Sequence, residues 1–436
     1  MKPFSLLPAL GACSLLTNAV FAWEKSANGT CTLIPHGSGR DDSQQFQEVI
    51  NATECTTIVL PQPYTYSIQQ RLYTDITNKN LHVYGRLLFS DDLEYWINNS
   101  WMTDFQNLLT AWILTGSNWT LSGGGFAQGG IDGNGQPWYT RAAGVVNQPG
   151  RPMSLYIFNA SDSLVKDFSV VQPQFWAFFV SQSHNITLDG VLVNATNHDP
   201  AAPVPDPNAV SHGYSWVINT DGIDTYRSDS INIQNWVVQN GEDCVSFKGN
   251  STNINVRNIT CIGSRGFAVG SVGQYPDRFD NIINVSVKDV TMHPTPNVSL
   301  TGVVYFKNWI GEEIGTPPNG GGGGSGHVSN LTFENFAFQE ADQPVYIQTC
   351  LTYSDIDTTN LCNTSKVLME DVTFINFQGN SSGTYNGTLV DLNCSSSTPC
   401  RNFNFIDWSV TAPEQFEPVY DCINAENITG ITCGSS

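Results

Sequence analysis

Basic residues are scarce in this 436-residue chain: 18 Lys and Arg stand against 39 Asp and Glu, a formal net charge of −21. So acidic a surface is a poor partner for nucleic acid or for an anionic membrane, both of which are gripped by Lys and Arg. Histidine is also sparse, at seven residues. No Cys-x-x-Cys or His-rich spacing occurs, so no metal is expected. No phosphate-cradling Gly loop and no Ser-His-Asp spacing competes for a chemical role. Past the first 22 residues, no stretch approaches the ~18 continuous apolar residues of a membrane span.

What is present begins with MKPFSLLPALGACSLLTNAVFA, the layout of a cleaved secretory signal: Lys2, an apolar stretch, and small residues from Ala19 to Ala22. The mature chain is expected to start near Trp23 and to run through residue 436 as one extracellular, monomeric domain. Without Cys13 of the leader, ten of the 11 cysteines remain. An even set in an oxidising compartment points to disulfides, and the clustering favours five local bridges between sequential cysteines. Asn-x-Ser/Thr sequons occur at Asn28, Asn51, Asn98, Asn118, Asn159, Asn185, Asn194, Asn250, Asn258, Asn284, Asn297, Asn330, Asn363, Asn380, Asn386, Asn393 and Asn427, and in a secreted chain these acceptors belong on the surface.

The length alone suggests several domains, but an internal repeat explains it better. Short alternating, β-branched segments recur: LVKDFSVV (164–171), ITLDGVLV (186–193), INIQNWVV (231–238), INVRNITC (254–261), VSVKDVTM (285–292), LTFENFAF (331–338) and LMEDVTFINF (368–377). Each reads as a strand closed by turn residues. Their starts are separated by 22, 45, 23, 31 and 46 residues from 164 to 331, taken as one or two coils of about 22 residues. A period of this size without amphipathic helices predicts an all-β solenoid, a parallel β-helix with apolar side chains stacked inside. Two stretches, 198–215 and 311–327, are too rich in Pro and Gly to be coils and read as loops beside a groove.

Polar residues keep step with this repeat. Asp221, Asp243 and Arg265 are spaced by 22 residues, and Lys307 lies 42 further on. On stacked coils these form a column, with neighbours roughly 5 Å apart. Such a column is also what a solvated ladder of ion pairs produces. Glu242 changes that reading, because adjacent residues of a regular strand face opposite sides, so Glu242 and Asp243 share a face only if the backbone bends, which Gly241 permits. Three converging carboxylates repel one another and raise at least one pKa. In glycoside cleavage a protonated carboxyl donates to the leaving oxygen while a carboxylate activates water.

These residues lie in motifs that resemble a known family. GGIDGNGQPWY (129–139), NTDGIDT (219–225), GEDCVSFK (241–248), SRGFAVGS (264–271) and YFKNW (305–309) are similar, in order and spacing, to those of the polygalacturonases of glycoside hydrolase family 28. The resemblance implies a single right-handed parallel β-helix that hydrolyses α-linked galacturonate with inversion and without a cofactor. It makes Glu242 the general acid and has Asp221 and Asp243 hold the attacking water. It also implies a Cys244–Cys261 disulfide. NTDGIDTYRSD and CVSFKGNST resemble most the fungal exo-acting branch, which trims galacturonate from pectic chain ends. The family's Asp-Asp pair is Glu242-Asp243 here, its Gly-His-Gly is Ser264-Arg265-Gly266, and its Arg-Ile-Lys is Tyr305-Phe306-Lys307. Arg265 stays charged and cannot shuttle a proton, but its fork fits a substrate carboxylate; Tyr305 suits stacking on a sugar face. With Lys307, Asn219 and Lys248 they make up the expected substrate contacts. Two alternatives follow from the departures: exo-hydrolysis of rhamnogalacturonan, and pectin binding with little catalysis.

Overall fold

In the computed structural model, which describes residues 23–199, 216–296, 298–353 and 357–434, 28 strands join into one hydrogen-bonded system. Apart from the first pair, Trp23–Lys25 on Thr30–Leu33, its strands run parallel. The chain is a right-handed parallel β-helix. The expected leader lies outside the described residues, as does most of the 198–215 loop.

Alternation in the sequence becomes columns in space. Leu188, Ile233, Val256, Val287, Phe333, Phe374 and Phe405 occupy equivalent positions on successive coils, and all are buried. Where the column turns aromatic, the rings of Phe333 and Phe374 lie 5.5 Å apart and those of Phe374 and Phe405 4.9 Å apart, nearly parallel. Each such contact is worth about 0.5–1.5 kcal/mol beyond its buried area. The recurring Asn marks the corners: Asn284, Asn330 and Asn402 have positive φ, a conformation Asn tolerates better than most residues. Their amides bond along the stack, Asn330 Nδ2 donating to Asn284 Oδ1 at 2.7 Å and Asn284 Nδ2 to Asn253 Oδ1 at 2.9 Å.

The coil count needs correction. Ile186 pairs directly with Ile231, and Val285 with Leu331. The separations of 45 and 46 residues are therefore single coils lengthened by loops, not two coils each. The second loop is also shorter than its composition suggests, because Ser325 to His327 already belong to the strand Ser325–Leu351. Helix Ser43–Asn51, absent from the repeat, buries Phe46, Val49 and Ile50 against the first coils, as a terminal cap of a solenoid must. The ten cysteines pair in sequence order: Cys31–Cys55, Cys244–Cys261, Cys350–Cys362, Cys394–Cys400 and Cys422–Cys433. Among the sequon asparagines, all but Asn297 are described, and none of those is buried.

One face sets up the chemistry. Strands Phe178–Ser181, Ile223–Tyr226, Asp243–Phe247, Gly266–Val272 and Leu300–Trp309 pair in that order. Their outward residues, and those at the turns leading into them, converge under the connecting loops.

Candidate active site

Asp221 sits at the entry to the strand Ile223–Tyr226, and one coil on, Glu242 and Asp243 sit at the entry to Asp243–Phe247. Gly222 N–H donates to Asp243 O at 2.9 Å, and Arg265 N–H to Glu242 O at 2.9 Å. Glu242 thus precedes the regular strand, and the strict alternation of faces does not bind it. The register then slips between Asp243 and Val245 against the next coil. The irregularity falls after the acidic pair and not at Gly241, and the residue that accommodates it is Gly266. Its φ is +94°, and a Cβ there would stand 2.5 Å from Val303 O, so only glycine fits. Cys244–Cys261 fastens this step to the neighbouring turn.

The expected column holds in part. Asp221, Glu242 and Asp243 come together, each at most 4 % exposed. Arg265 pairs with Glu242, Nη1 to Oε1 3.2 Å. Lys307, however, is in register with Gly270, along the strand from Arg265. It sits one coil from Arg265's strand, not two, because Phe267 pairs directly with Val304. Its ammonium nevertheless reaches back to Asp243 Oδ2, 2.7 Å away. Tyr305 is corrected as well: at 1 % exposure, with its hydroxyl donating to Asp243 Oδ1 and its ring stacked 4.9 Å from that of Tyr346, it has no face for a sugar.

The sequence reading passed over Asp224. Fully buried, it is paired with Lys248, Nζ to Oδ1 2.8 Å, and carboxylate oxygens of Asp221, Asp224 and Asp243 lie within 4.8 Å of one another. The signal was there, since Asp224 is the second acid of NTDGIDT and follows Asp221 by three residues. Buried Arg151 was also missed. Its Nε donates to Gln174 O, its guanidinium lies 5.6 and 5.4 Å from the ring centroids of Tyr139 and Phe175, and burial lowers its pKa to about 10. No repeat spacing led to it.

Four acids so close cannot share one protonation behaviour. Burial, then the charges of Asp224, Asp243 and Glu242, push Asp221 well above the carboxylate range. Burial also raises Glu242, although Arg265 opposes it. Burial takes Asp224 to about 6 against the pull of Lys248. Asp243 goes the other way: burial alone would raise it, but Lys307 and Lys248, with hydrogen bonds from Lys307 and Tyr305, hold it below its usual value. The cluster therefore carries one carboxylate fixed in the ionised form beside others inclined to keep protons, as acid–base cleavage of a glycoside requires.

A cavity of about 260 Å³ opens onto these groups, lined by Asn219, Asp221, Glu242, Lys248, Arg265 and Lys307 on the sheet and by Gln106, Val146, Asn147, Trp176, Thr352 and Tyr353 around the rim. The rim is tied together. Asn147 Nδ2 donates to Asn319 Oδ1 at 3.1 Å, Asn107 Nδ2 to Pro317 O at 3.1 Å, and Tyr353 N–H to Asn319 O at 3.1 Å. The Pro- and Gly-rich loop thus bonds to segments on several sides of the cavity. Asn219 is held by Asn147 N–H, which donates to its Oδ1 at 2.7 Å.

Comparison with known proteins bears on this geometry. The chain is 46% identical over 434 residues to "Putative galacturan 1,4-alpha-galacturonidase A" of Aspergillus niger, covering 97% of each. It is 35% identical to "Exopolygalacturonase X" of the same organism, over 92% of this chain and 84% of the other. The crystal structure of endo-xylogalacturonan hydrolase from Aspergillus tubingensis superposes with a TM-score of 0.75 at 25% identity, covering 93% of this chain and 99% of that one. Residues 111–433 match the glycosyl hydrolases family 28. The chain belongs to that family.

Proposed function

We propose that this protein is an exo-acting pectin hydrolase that removes terminal galacturonic acid from polygalacturonate by inverting hydrolysis. The observation that carries the reading is the tied rim: a polymer needs an open groove to lie across the acids, whereas a cavity bounded by the 105–107, 146–147, 317–320 and 352–353 segments receives a chain end. Glu242, raised by burial, is the general acid. Asp243, kept ionised by Lys307 and Tyr305, takes the proton of a water that it holds together with Asp221. Arg265, whose side chain is 27% exposed at the cavity, turns from Glu242 to a substrate carboxylate once Glu242 is protonated. The names of the two Aspergillus niger relatives support the substrate and the mode of attack, and five disulfides support an extracellular destination.

The test is incubation of the purified protein with polygalacturonate, following products by size and by anomeric form. Monomeric galacturonic acid from the first minutes, released with inverted configuration, is expected. Early oligomers of mixed length would sink the exo assignment, and a retained configuration would sink the roles given to the carboxylates. The burial of Tyr305 removes the stacking argument for rhamnose, so rhamnogalacturonan stands as the control substrate.

A further inference from the structure

The four acids and their cations are not equivalent, and one pair has no task in the chemistry above. Lys307 keeps Asp243 ionised, and Arg265, paired with Glu242 at rest, is assigned to the carboxylate of the sugar beyond the bond that is cleaved, not to that of the terminal sugar. Lys248 is paired with Asp224, an acid with no part in either proton transfer. Its ammonium lies 4.8 Å from the Trp176 ring centroid and 5.8 Å from that of Phe105. Lys248, Trp176 and Asp221 line the same cavity as Glu242, so a terminal sugar whose glycosidic bond meets Glu242 lies within reach of this ammonium. Its Nζ lies 2.8 Å from Asp224 Oδ1 and donates to Ser246 Oγ at 2.9 Å, so of its three protons at least one remains for the cavity that Lys248 lines.

We propose that Lys248 reads the carboxylate of the terminal sugar, and that Asp224, its buried partner, decides when that charge is available. The inference rests on the exo-hydrolase reading and adds a specificity-determining pair to it. The groups facing Asp224 are Lys248, Asp243, Lys307 and Asp221. Lys307 and Asp243 are paired with each other, and of the acids around Lys248 it is Asp224 that lies in ion-pair contact with it and acts on it most strongly, ahead of Asp221, so the state of Asp224 changes the field at Lys248 most. Burial lifts Asp224 to about 6. Below that pH it is neutral, and Lys248 presents an uncompensated charge to a sugar carboxylate, which ionises near 3.5 as free carboxyls do. Above it Asp224 ionises, the pair becomes neutral, and a second carboxylate loses its attraction to Lys248. Recognition of the acid sugar is therefore strongest in acid and fades as the pH passes 6.

The experiment compares kcat/KM from pH 4 to 7 for galacturonate oligomers whose non-reducing terminal carboxyl is free or methyl-esterified. Below pH 6 the free acid should be preferred by about 10- to 100-fold, the range of one charge-assisted hydrogen bond. The preference should shrink above pH 6 through a rising KM. In Asp224→Asn it should persist to pH 7. Lys248→Met alone strands a buried carboxylate and risks misfolding, so the decisive protein is the double variant Lys248→Met with Asp224→Asn, which removes both charges together. Its preference ratio should fall to about one, with an unchanged melting profile confirming the fold. A double variant that retains the wild-type preference, or a wild-type KM for the free acid that stays flat through pH 6, overturns the proposal. Failure of the wild type to release monomer from either substrate refutes the exo reading, and this inference with it.

Discussion

Replacing Tyr305 by Phe removes one hydroxyl and nothing else, because the ring is buried and keeps its stack on Tyr346. That hydroxyl donates to Asp243 Oδ1, one of the contacts that hold Asp243 below its ordinary pKa. A hydrogen bond to a charged group is worth about 1.5–3 kcal/mol, and one pKa unit corresponds to about 1.4 kcal/mol, so Asp243 should titrate roughly one to two units higher in Tyr305→Phe. Asp243 must be ionised to accept the proton of water, so activity is lost as the pH falls through its pKa. The acid limb of the kcat/KM profile therefore moves up by about one to two units, and because that limb reports the free enzyme, the shift reads the resting site directly. Well above the raised pKa the variant should approach wild-type turnover, whereas below it the variant's turnover should fall away while the wild type's persists. Stability carries the same sign. A carboxylate with a depressed folded pKa stabilises the fold above its unfolded value and loses that contribution as the pH drops, so the variant should also denature more readily in acid. The assay is reducing-sugar release across pH 3 to 7 with the wild type in parallel. Superimposable profiles, or a shift confined to the basic limb, would refute the assignment of Asp243 as the ionised base.

Glu242→Gln keeps shape but removes the proton donor, so kcat should drop by about 10²- to 10⁴-fold with the melting temperature little changed; near-normal turnover would reassign the acid. Asp221, Glu242 and Asp224 all have raised pKa values. Their ionisation is disfavoured by folding, which makes the protein less stable as the pH rises from about 4 through 6. Asp224, moved from 3.8 to about 6, accounts by itself for on the order of 3 kcal/mol of this loss, and thermal unfolding at pH 4.5 and 7.5 should show the higher melting temperature in acid. Asn284 and Asn330 are stacked acceptor sequons on adjacent coils, joined by a 2.7 Å amide contact and only about 5 Å apart along the stack. Glycopeptide mass spectrometry should find either one occupied, and not both on the same chain.

How much of this was legible in the sequence depends on what each residue answers to. Columns such as Val287–Phe333–Phe374 obey the two-residue alternation of strands, so apolar spacing revealed the coils. It failed on the lengths of coils that carry inserted loops, because a 45-residue separation looks the same whether it spans one decorated coil or two plain ones; only the pairing of Ile186 with Ile231 decides. Likewise the 22-residue step found Asp221 and Asp243, which lie where the backbone remains in register. It misplaced Lys307, because the 42-residue step from Arg265 was counted as two coils and is a single long one, which brings Lys307 into register with Gly270, further along the strand than Arg265. The face of Tyr305 was beyond alternation altogether, since an outward position is exposed only if nothing sits above it, and here Asp243 and Tyr346 do.

The departures from the family pattern look less disruptive once charges are matched to partners. Asp243 has Lys307, Glu242 has Arg265, and Asp224 has Lys248, while Asp221 forms no ion pair among the described residues and is pushed well up. An imidazole in place of Arg265 would titrate in the working range and share a proton with the acid beside it. A guanidinium does not titrate there, so it acts by competing with the proton for Glu242: it lowers the acid's affinity for that proton without becoming a second acid. Glu242 stays protonated in acid because burial outweighs this pull. It follows that the replacement of His by Arg leaves cleavage possible but ties it to low pH, and that a return to histidine, Arg265→His, should extend activity toward neutrality while loosening whatever hold Arg265 has on a substrate carboxylate.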